Sequence, residues 1–343
     1  MIAGAAPSES YSAMAEYRSQ PHWRRWLRHP AARLVGGRLV LAVPQLLVVS
    51  VLSFLLTSLT PGDAARSILG LSATPASVAQ LRHQFRLDLP LWDQYWQWLR
   101  HAAAGDLGTS FSTGQPVGEA ISQRLPVTLS LMAGALLVSL VVGVGFGVIS
   151  ALRGGVAGRA IDALAMVGFA LPGFWVGAEL IVIFSVSLHW LPATGFVPLQ
   201  QSPSQWFRSL VLPVAALSLT SVAAVAKQSR QAMLETLGTE YVRMARASGL
   251  SPRSIIFRHA LKNASILIAT ILGVQAVGLL AGTIFVESVF ALPGLGSAVS
   301  DAALQHDLPL VQGVTVVFTI MVVLINLVID LTYTWLNPKV RVQ

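Results

Sequence analysis

The sequence contains no cysteine, only three lysines and few charged residues of either sign. Without cysteine the chain forms no disulfide, no thiolate metal site and no cysteine nucleophile. The lysines are followed by Gln228, Asn263 and Val340, so no Walker A phosphate-binding loop is present. The seven histidines form no HExxH pair, and no GxSG serine motif occurs. The sequence therefore argues against an enzyme and predicts no metal ion or cofactor bound by this chain.

The composition is typical of a membrane protein. Only 11% of the 343 residues are charged and 54% are hydrophobic, whereas a soluble domain carries about 25% charged residues. The mean hydropathy is +0.66. The net charge of +8 could indicate a nucleic-acid partner. The basic residues lie in short loops beside apolar runs, however, which favours the positive-inside effect and excludes nucleic acid as the expected partner.

Six apolar runs predict six transmembrane helices and an all-α polytopic fold. They cover residues 39–59, 126–152, 161–188, 211–226, 264–285 and 311–335. The transmembrane domain is thus predicted over residues 39–338, between a basic N-terminal tail (1–38) and a short C-terminal tail (339–343). A long polar segment (60–125) follows the first run, and a basic loop (227–263) lies between the fourth and the fifth.

The basic residues also predict the orientation of these spans. Seventeen of the lysines and arginines fall on one side and six on the other. Because positive charge concentrates on the cytoplasmic side, both termini and the basic loop are predicted to be cytoplasmic. Residues 60–125 are then extracytoplasmic. The chain is expected to be a multi-pass protein surrounded by membrane lipid.

The basic loop carries signals for two helices joined by a glycine turn. Thr239 is a candidate cap for a first helix over residues 240–248. Gly249 stands where the chain must turn left-handed, and Ser251 and Pro252 begin a second helix. The first helix places four residues on one face: Tyr241, Met244, Ala245 and Ser248. The alternative interpretation is a solvated charged linker.

Two acidic residues, Glu179 and Asp330, fall in the interior of apolar runs, where a carboxylate costs about 2.5–3.5 kcal/mol at the bilayer centre. For Glu179 a place in a translocation pathway and a structural hydrogen bond are equally supported. For Asp330 an ion pair with a neighbouring helix, or with Lys339 or Arg341, is favoured over a place in the pathway.

Glycine and proline give further expectations for the spans. Two pairs at GxxxG spacing, Gly143 with Gly147 and Gly278 with Gly282, predict close helix packing. A kink or an interruption is predicted at residues 172–173 (Pro-Gly) and at Pro213.

The basic loop resembles the EAA loop of ABC importer permeases. The resemblance rests on Glu240, Ala245, Ala247, Gly249, Ile255, His259, Lys262 and Asn263. Other stretches are similar to the B-type subunit of the peptide and nickel branch: residues 59–63 (LTPGD), 105–110 (GDLGTS), 123–129 (QRLPVTL), 292–296 (LPGLG), 307–313 (DLPLVQG) and 327–333 (LVIDLTY). The chain departs from that pattern at Ala64, His306 and Leu308.

This resemblance implies a type I ABC importer permease fold in a bacterial inner (cytoplasmic) membrane. It implies half of a translocation pathway for di- or oligopeptides, completed by a second homologous permease. Two ABC ATPase subunits would bind the ATP and Mg²⁺, and a solute-binding protein would dock outside the cytoplasm. The residues implied to couple the chain to the ATPase are Glu240, Tyr241, Met244, Ala245, Arg246, Ala247, Gly249, Ser251 and Pro252.

Two alternatives stay open at the level of sequence. The same machinery could import nickel or another small solute, because the solute is selected mainly by the binding protein. A self-sufficient secondary transporter or channel would instead carry inverted repeats and coupling-ion charges at the membrane midplane. The sequence shows no such repeat, and its midplane charge is limited to Glu179.

Overall fold

The computed structural model describes residues 30–153 and 155–336, and this part of the chain is helical. Its helices are α1 (Pro30–Leu59), α2 (Ala64–Leu69, followed by a 3₁₀ turn, Gly70–Ser72), α3 (Pro75–Gln84), α4 (Leu91–Ala103), α5 (Val117–Val138), α6 (Val144–Arg153), α7 (Gly155–Ala170), α8 (Gly173–Leu180), α9 (Pro203–Leu237), α10 (Glu240–Ala247), α11 (Pro252–Ser254), α12 (Leu261–Val289), α13 (Leu295–Leu304) and α14 (Leu308–Leu336). Within these residues the β structure is one antiparallel bridge, between Thr109 and Pro116. The predicted all-α class is confirmed.

Three π-helical turns lengthen these helices. Ser139–Gly143 joins α5 to α6, Ile181–Ser187 extends α8, and Ile255–Ala260 joins α11 to α12. As a result, Val117–Arg153 is one helix of 37 residues and Pro252–Val289 is one helix of 38 residues.

Five helices are long and apolar enough to cross a membrane: Val35–Leu59, Val117–Arg153, Pro203–Leu237, Pro252–Val289 and Leu308–Thr334. Helices α7 and α8 make a sixth span if they are taken together, although they are bent by 98°. The break falls at Pro172, which precedes α8 as its N-cap residue. The interruption predicted at residues 172–173 is confirmed, whereas Pro213 lies inside α9 without interrupting it.

The bent pair connects the two ends of the bundle. At one end Asp162 in α7 forms an ion pair at 3.5 Å with Arg230, near the C-terminus of α9. At the opposite end the carbonyl oxygen of Trp190 accepts a hydrogen bond of 2.7 Å from Arg208, near the start of α9. The first end also holds the α9–α10 junction and residues 238–254, which we call the knob, so we call it the knob end. The second end also holds residues 60–116, and we call it the far end.

The N-terminal boundary differs from the prediction. Helix α1 begins at Pro30, so residues 30–38 are helical and are not part of a tail. The rest of the predicted N-terminal tail (1–29) and the predicted C-terminal tail lie outside the described residues.

Two loop boundaries also differ. The helix that contains α5 begins at Val117, inside the segment predicted to extend to residue 125. Helix α9 continues to Leu237 and the next membrane helix begins at Pro252, so the loop predicted over 227–263 shrinks to residues 238–251. Hydropathy marks only the apolar part of a helix, whereas the backbone hydrogen bonds of a helix continue through polar sequence.

Helix α9 lies at the centre of the bundle. Of its most apolar stretch 72% is buried, compared with 33% for Pro252–Val289 and 17% for α1. Gly147 packs directly on it, because a Cβ atom at this position would lie 2.6 Å from the carbonyl oxygen of Ala226. The close packing predicted for Gly143 and Gly147 is confirmed.

Candidate functional site

The knob, residues 238–254, turns sharply at Gly249. The N–H of Gly249 donates to the carbonyl oxygen of Arg246 at 3.0 Å, and that of Leu250 to Ala245 at 3.2 Å. This pair of bonds is a Schellman motif, which satisfies the last carbonyl groups of a helix. Gly249 has φ of +77°, a conformation in which a side chain would be strained. The left-handed turn predicted at Gly249 is confirmed.

The two helices of the knob begin differently. The Ser251 hydroxyl accepts a hydrogen bond from the N–H of Ser254 at 3.4 Å, and Pro252 is the first helical residue, as predicted. Thr239 occupies the N-cap position of α10, but its hydroxyl donates to the carbonyl oxygen of Thr236 at 2.6 Å. The predicted side-chain cap is therefore wrong. The last turn of α9 leaves carbonyl groups without helical partners, and one of them, that of Thr236, accepts the hydrogen bond from this hydroxyl.

Val242 fixes the short helix α10 to the bundle. Its side chain is 0% exposed, and Ala245 on the same side of the helix is partly buried. Helix α10 packs there on the π-helical turn Ile255–Ala260 and on the end of α9. Sequence reasoning missed Val242, although its spacing of three residues from Ala245 was the signal that marks a buried helix face.

A hydrogen bond ties the other side of α10 to the next membrane helix. The side-chain amide of Asn263 donates to the Tyr241 hydroxyl at 2.6 Å. Met244 and Ser248 point away from the bundle and are exposed. The face predicted from Tyr241, Met244, Ala245 and Ser248 is therefore divided between inward and outward positions.

Large apolar side chains are exposed at the knob end. Met244 is 71% exposed, Phe257 64%, Leu250 42% and Tyr241 41%. Of the nine residues predicted for coupling, Ala245 is partly buried and eight are exposed: Glu240, Tyr241, Met244, Arg246, Ala247, Gly249, Ser251 and Pro252. Exposed apolar side chains among arginines are typical of a surface that binds another protein. Phe257 is an exposed residue that the sequence analysis did not single out.

Glu179 lies on an exposed side of α8. It is two residues from Gly177, which packs against Phe290, so the two positions point in nearly opposite directions. None of the ion pairs between described residues involves Glu179. Glu179 therefore stays a prediction for the pathway.

Asp330 pairs with the first helix. The Arg38 guanidinium donates two hydrogen bonds to its carboxylate, of 2.5 and 3.0 Å. The predicted ion pair with a neighbouring helix is confirmed. The partner was not foreseen, because Arg38 had been assigned to the tail.

A third acidic residue, Glu287, is buried inside the helix Pro252–Val289. It is 0% exposed and accepts hydrogen bonds from the Thr128 hydroxyl (2.7 Å) and the N–H of Ser297 (2.9 Å). A Cβ atom at Gly294 would collide with its carboxylate, so the LPGLG stretch is shaped around it. The apolar run before it ends at residue 285, so the sequence places Glu287 outside the predicted span.

Asp307 makes a similar buried site at the far end. Its carboxylate accepts hydrogen bonds from the hydroxyls of Ser110 (2.5 Å) and Ser112 (2.8 Å) and from the N–H of Phe111 (3.1 Å). Two of the stretches that carried the family resemblance, residues 105–110 and 307–313, are thus joined by one acidic side chain.

His306 joins two further positions of that resemblance. Its Nε2 lies 3.1 Å from the carbonyl oxygen of Pro61, and its ring occupies the space that a Cβ atom of Gly62 would need. The departure at His306 thus falls on a contact with the LTPGD stretch.

Two family profiles match this chain. Residues 143–342 match the binding-protein-dependent transport system inner membrane component, and residues 32–132 match the N-terminal region of the same kind of membrane component. Together they cover both halves of the bundle.

Several relatives are similar along nearly their whole length. A putative peptide transport system permease protein of Brucella abortus is 40% identical over 309 residues, which cover 90% of this chain and 98% of the relative. The di/tripeptide transport system permease protein DppB of Pseudomonas aeruginosa is 36% identical over 331 residues, with 90% and 98% covered. The glutathione transport system permease protein GsiC of Salmonella choleraesuis is 37% identical over 305 residues, with 89% and 97% covered.

A solved structure shares the fold. An inward-facing structure of the MetNI methionine ABC transporter matches with a TM-score of 0.53 at 17% identity, covering 64% of this chain and 96% of the matched chain. At this sequence identity the match shows a similar fold and nothing about function.

Proposed function

The chain belongs to the family of binding-protein-dependent transport system inner membrane components. From the names of its relatives we infer that it imports peptides. As an ABC importer permease it is the membrane component and not the ATPase. We propose that it forms half of the translocation pathway, that a second homologous permease forms the other half, and that two ATPase subunits bind the ATP and Mg²⁺.

The knob is the proposed contact with the ATPase. The supporting observation is the pairing of a firmly anchored helix with an exposed apolar surface. Val242 is fully buried and the Schellman turn closes α10, whereas Met244 is 71% exposed. A short helix of this kind fits a groove on a partner protein. The nine coupling residues named from the sequence, from Glu240 to Pro252, remain part of this proposal, and the exposed Phe257 and Leu250 are added to it.

A rigid attachment is what the mechanism needs. To invert an equilibrium between inward- and outward-facing states from 1:99 to 99:1, the ATPase must favour one state by about 5.5 kcal/mol. A loosely tethered loop would not transmit such a preference. The hydrogen bond from Asn263 to Tyr241 and the buried Val242 make α10 move together with the membrane helices beneath it.

The remaining topology follows from the same proposal. The knob end, with both termini, faces the cytoplasm of a bacterial inner membrane, as the distribution of lysine and arginine predicts. The far end then faces outward, where α2, α3 and α4 offer a surface for an extracytoplasmic solute-binding protein.

Peptides are the proposed solute, because the relatives described above are named for peptides, di- and tripeptides and glutathione. Import of nickel or another small solute by the same machinery is the alternative. A self-sufficient secondary transporter or channel is the alternative from another class.

Reconstitution distinguishes these functions. The chain is placed in vesicles with its partner permease, ATPases and binding protein, and uptake of labelled tripeptide is followed with and without ATP. Uptake that requires ATP and every partner is expected. Transport by this chain alone would contradict the proposal, and uptake of Ni²⁺ but not of peptides would contradict the choice of solute.

A further inference from the structure

A cavity of about 260 Å³ lies between α8, α9 and α12. Its polar lining is supplied by Thr220 and Ser221 in the middle of α9 and by Gln275 in α12. The side chains that line it carry no charge, and two phenylalanines, Phe174 and Phe285, bound it with ring centroids 6.3 Å apart. The cavity therefore offers neutral hydrogen-bonding groups beside aromatic surface.

Ser221 is the residue that distinguishes this cavity from a packing defect. It is 1% exposed, yet its hydroxyl has no hydrogen-bond partner in the part of the chain that the structure describes. Two other buried serines of α9 bond to carbonyl groups of their own helix, Ser209 to Trp206 at 2.8 Å and Ser218 to Ala215 at 3.3 Å. A buried hydroxyl without a partner costs free energy. If the side chains that cover Ser221 move apart, a group in the cavity can supply the missing hydrogen bond.

Glycine keeps this space open. Gly278 and Gly282 stand one helical turn apart on α12 and line the cavity. A Cβ atom at Gly278 would meet no atom within 4 Å. This is the second pair at GxxxG spacing, for which the sequence predicted close packing. At Gly282 that prediction is confirmed, because a Cβ atom there would lie 2.9 Å from Leu217 in α9. At Gly278 it is wrong, because this glycine borders the cavity and not a neighbouring helix.

We propose that this cavity binds the peptide backbone of the solute during its passage, with Ser221 and Gln275 as hydrogen-bonding groups. The proposal rests on the proposed function and names a solute contact within it. A backbone amide carries both a donor and an acceptor, which match the Gln275 amide and the Ser221 hydroxyl. A lipid chain would leave both unpaired.

The size of the cavity limits what it holds. Sites for whole small molecules measure about 300–1,000 Å³, so 260 Å³ accommodates one segment of a peptide. Contacts to the backbone, rather than to charged side chains, are compatible with many peptide sequences.

The first test is Ser221→Ala in the complete transporter, with uptake of trialanine as the measurement. The KM for uptake is expected to rise about threefold to tenfold, the effect of one lost hydrogen bond. The amount of folded protein is expected to be unchanged, because the hydroxyl has no hydrogen-bond partner among residues 30–153 and 155–336. Ser229→Ala is the matched control. Its hydroxyl is also buried without a partner among the described residues, but Ser229 packs against Gly147 and does not line the cavity.

The second test uses the absence of native cysteine. Thr220→Cys, at an exposed position that lines the cavity, is expected to react with a water-soluble maleimide and to be protected by trialanine, whereas the buried Ser229→Cys stays unreactive. Reaction with a lipid-soluble reagent only, or labelling that trialanine does not slow, would overturn the proposal. If the unmodified transporter imports trialanine but the labelling gives either of these two results, only the cavity assignment is wrong. If it imports no peptide at all, the proposed function fails and the cavity assignment with it.

Discussion

The hydroxyl of Tyr241 accepts a hydrogen bond from the side-chain amide of Asn263 at 2.6 Å, across 22 residues of sequence. One partner lies in the short helix of the knob and the other in the membrane helix that follows it. The knob is therefore fastened both by its chain and by a side-chain contact. Its position relative to the membrane helices is set by the permease itself.

Tyr241→Phe should weaken coupling without unfolding the protein. The change removes the hydroxyl and keeps the ring, so the expected loss is that of one exposed hydrogen bond, about 0.5–1.5 kcal/mol. The ATPase should bind several-fold less tightly to permease held in lipid nanodiscs. Tyr333→Phe makes the same chemical change on the exposed part of α14 and should leave binding unaltered. Equal binding by both variants would contradict the role of this contact.

Gly249→Ala tests the backbone of the turn. A Cβ atom there would meet nothing within 4 Å, so its only cost is the strain at φ +77°, about 1–2 kcal/mol. Coupling should decrease in the order Gly, Asn, Ala, since asparagine tolerates this conformation better than alanine. Copurification of the ATPase with the permease is the measurement. Gly145→Ala, which also meets no neighbouring atom, should have no effect.

Gly249→Asp should reach the membrane and lose the ATPase. It adds an acidic side chain to the same strained position on the exposed surface. Normal copurification together with normal uptake would remove the turn from the coupling site.

Glu287→Leu should destabilise the fold. The substitution leaves the Thr128 hydroxyl and the N–H of Ser297 buried without their acceptor, and each such group costs about 1–3 kcal/mol. The melting temperature of the protein in detergent should decrease. Asp301→Leu also removes an acid, from an exposed position on the adjacent helix α13, and should change the melting temperature far less. A variant at position 287 as stable as the native protein would show that the carboxylate does not hold the LPGLG stretch.

Exchanging the charges of Arg38 and Asp330 should restore the melting temperature that either single substitution lowers. Asp330→Asn and Arg38→Gln each break a pair whose side chains are 24% and 42% exposed, so solvent limits the loss to roughly 1 kcal/mol. The double variant Arg38→Asp with Asp330→Arg should recover most of the lost melting temperature. Failure of this rescue would mean that each residue acts through other partners.

Glu179→Gln should reduce uptake while leaving the amount and stability of the protein unchanged, because none of the ion pairs between described residues involves Glu179. Uptake of neutral, acidic and basic tripeptides is the measurement, and Glu119→Gln at the exposed start of α5 is the control. Unchanged uptake of all three peptides would remove Glu179 from the pathway.

The sequence predicted the features that local chemistry decides. The turn at Gly249, the cap at Ser251 and the break at Pro172 each follow from the conformational limits of one or two residues. Apolar runs located the spans but placed their ends wrongly by up to about twelve residues, since polar helical turns continue beyond the lipid. The buried acids Glu287 and Asp307 were missed because both stand beside apolar runs in stretches that read as loops. Only the tertiary fold brings Thr128 and Ser110 to them.

The uninterrupted helix from Pro252 to Val289 has a mechanical consequence. Its 38 residues extend over about 57 Å, with the last residues of the knob, Pro252–Ser254, at one tip and Glu287 near the other. A tilt of about 10° around its middle would carry the two tips about 5 Å in opposite directions, given this length. An ATPase that moved the knob-end tip inward would thereby move the far-end tip outward. A stiff helix that tilts in this way would open one side of the membrane while it closes the other.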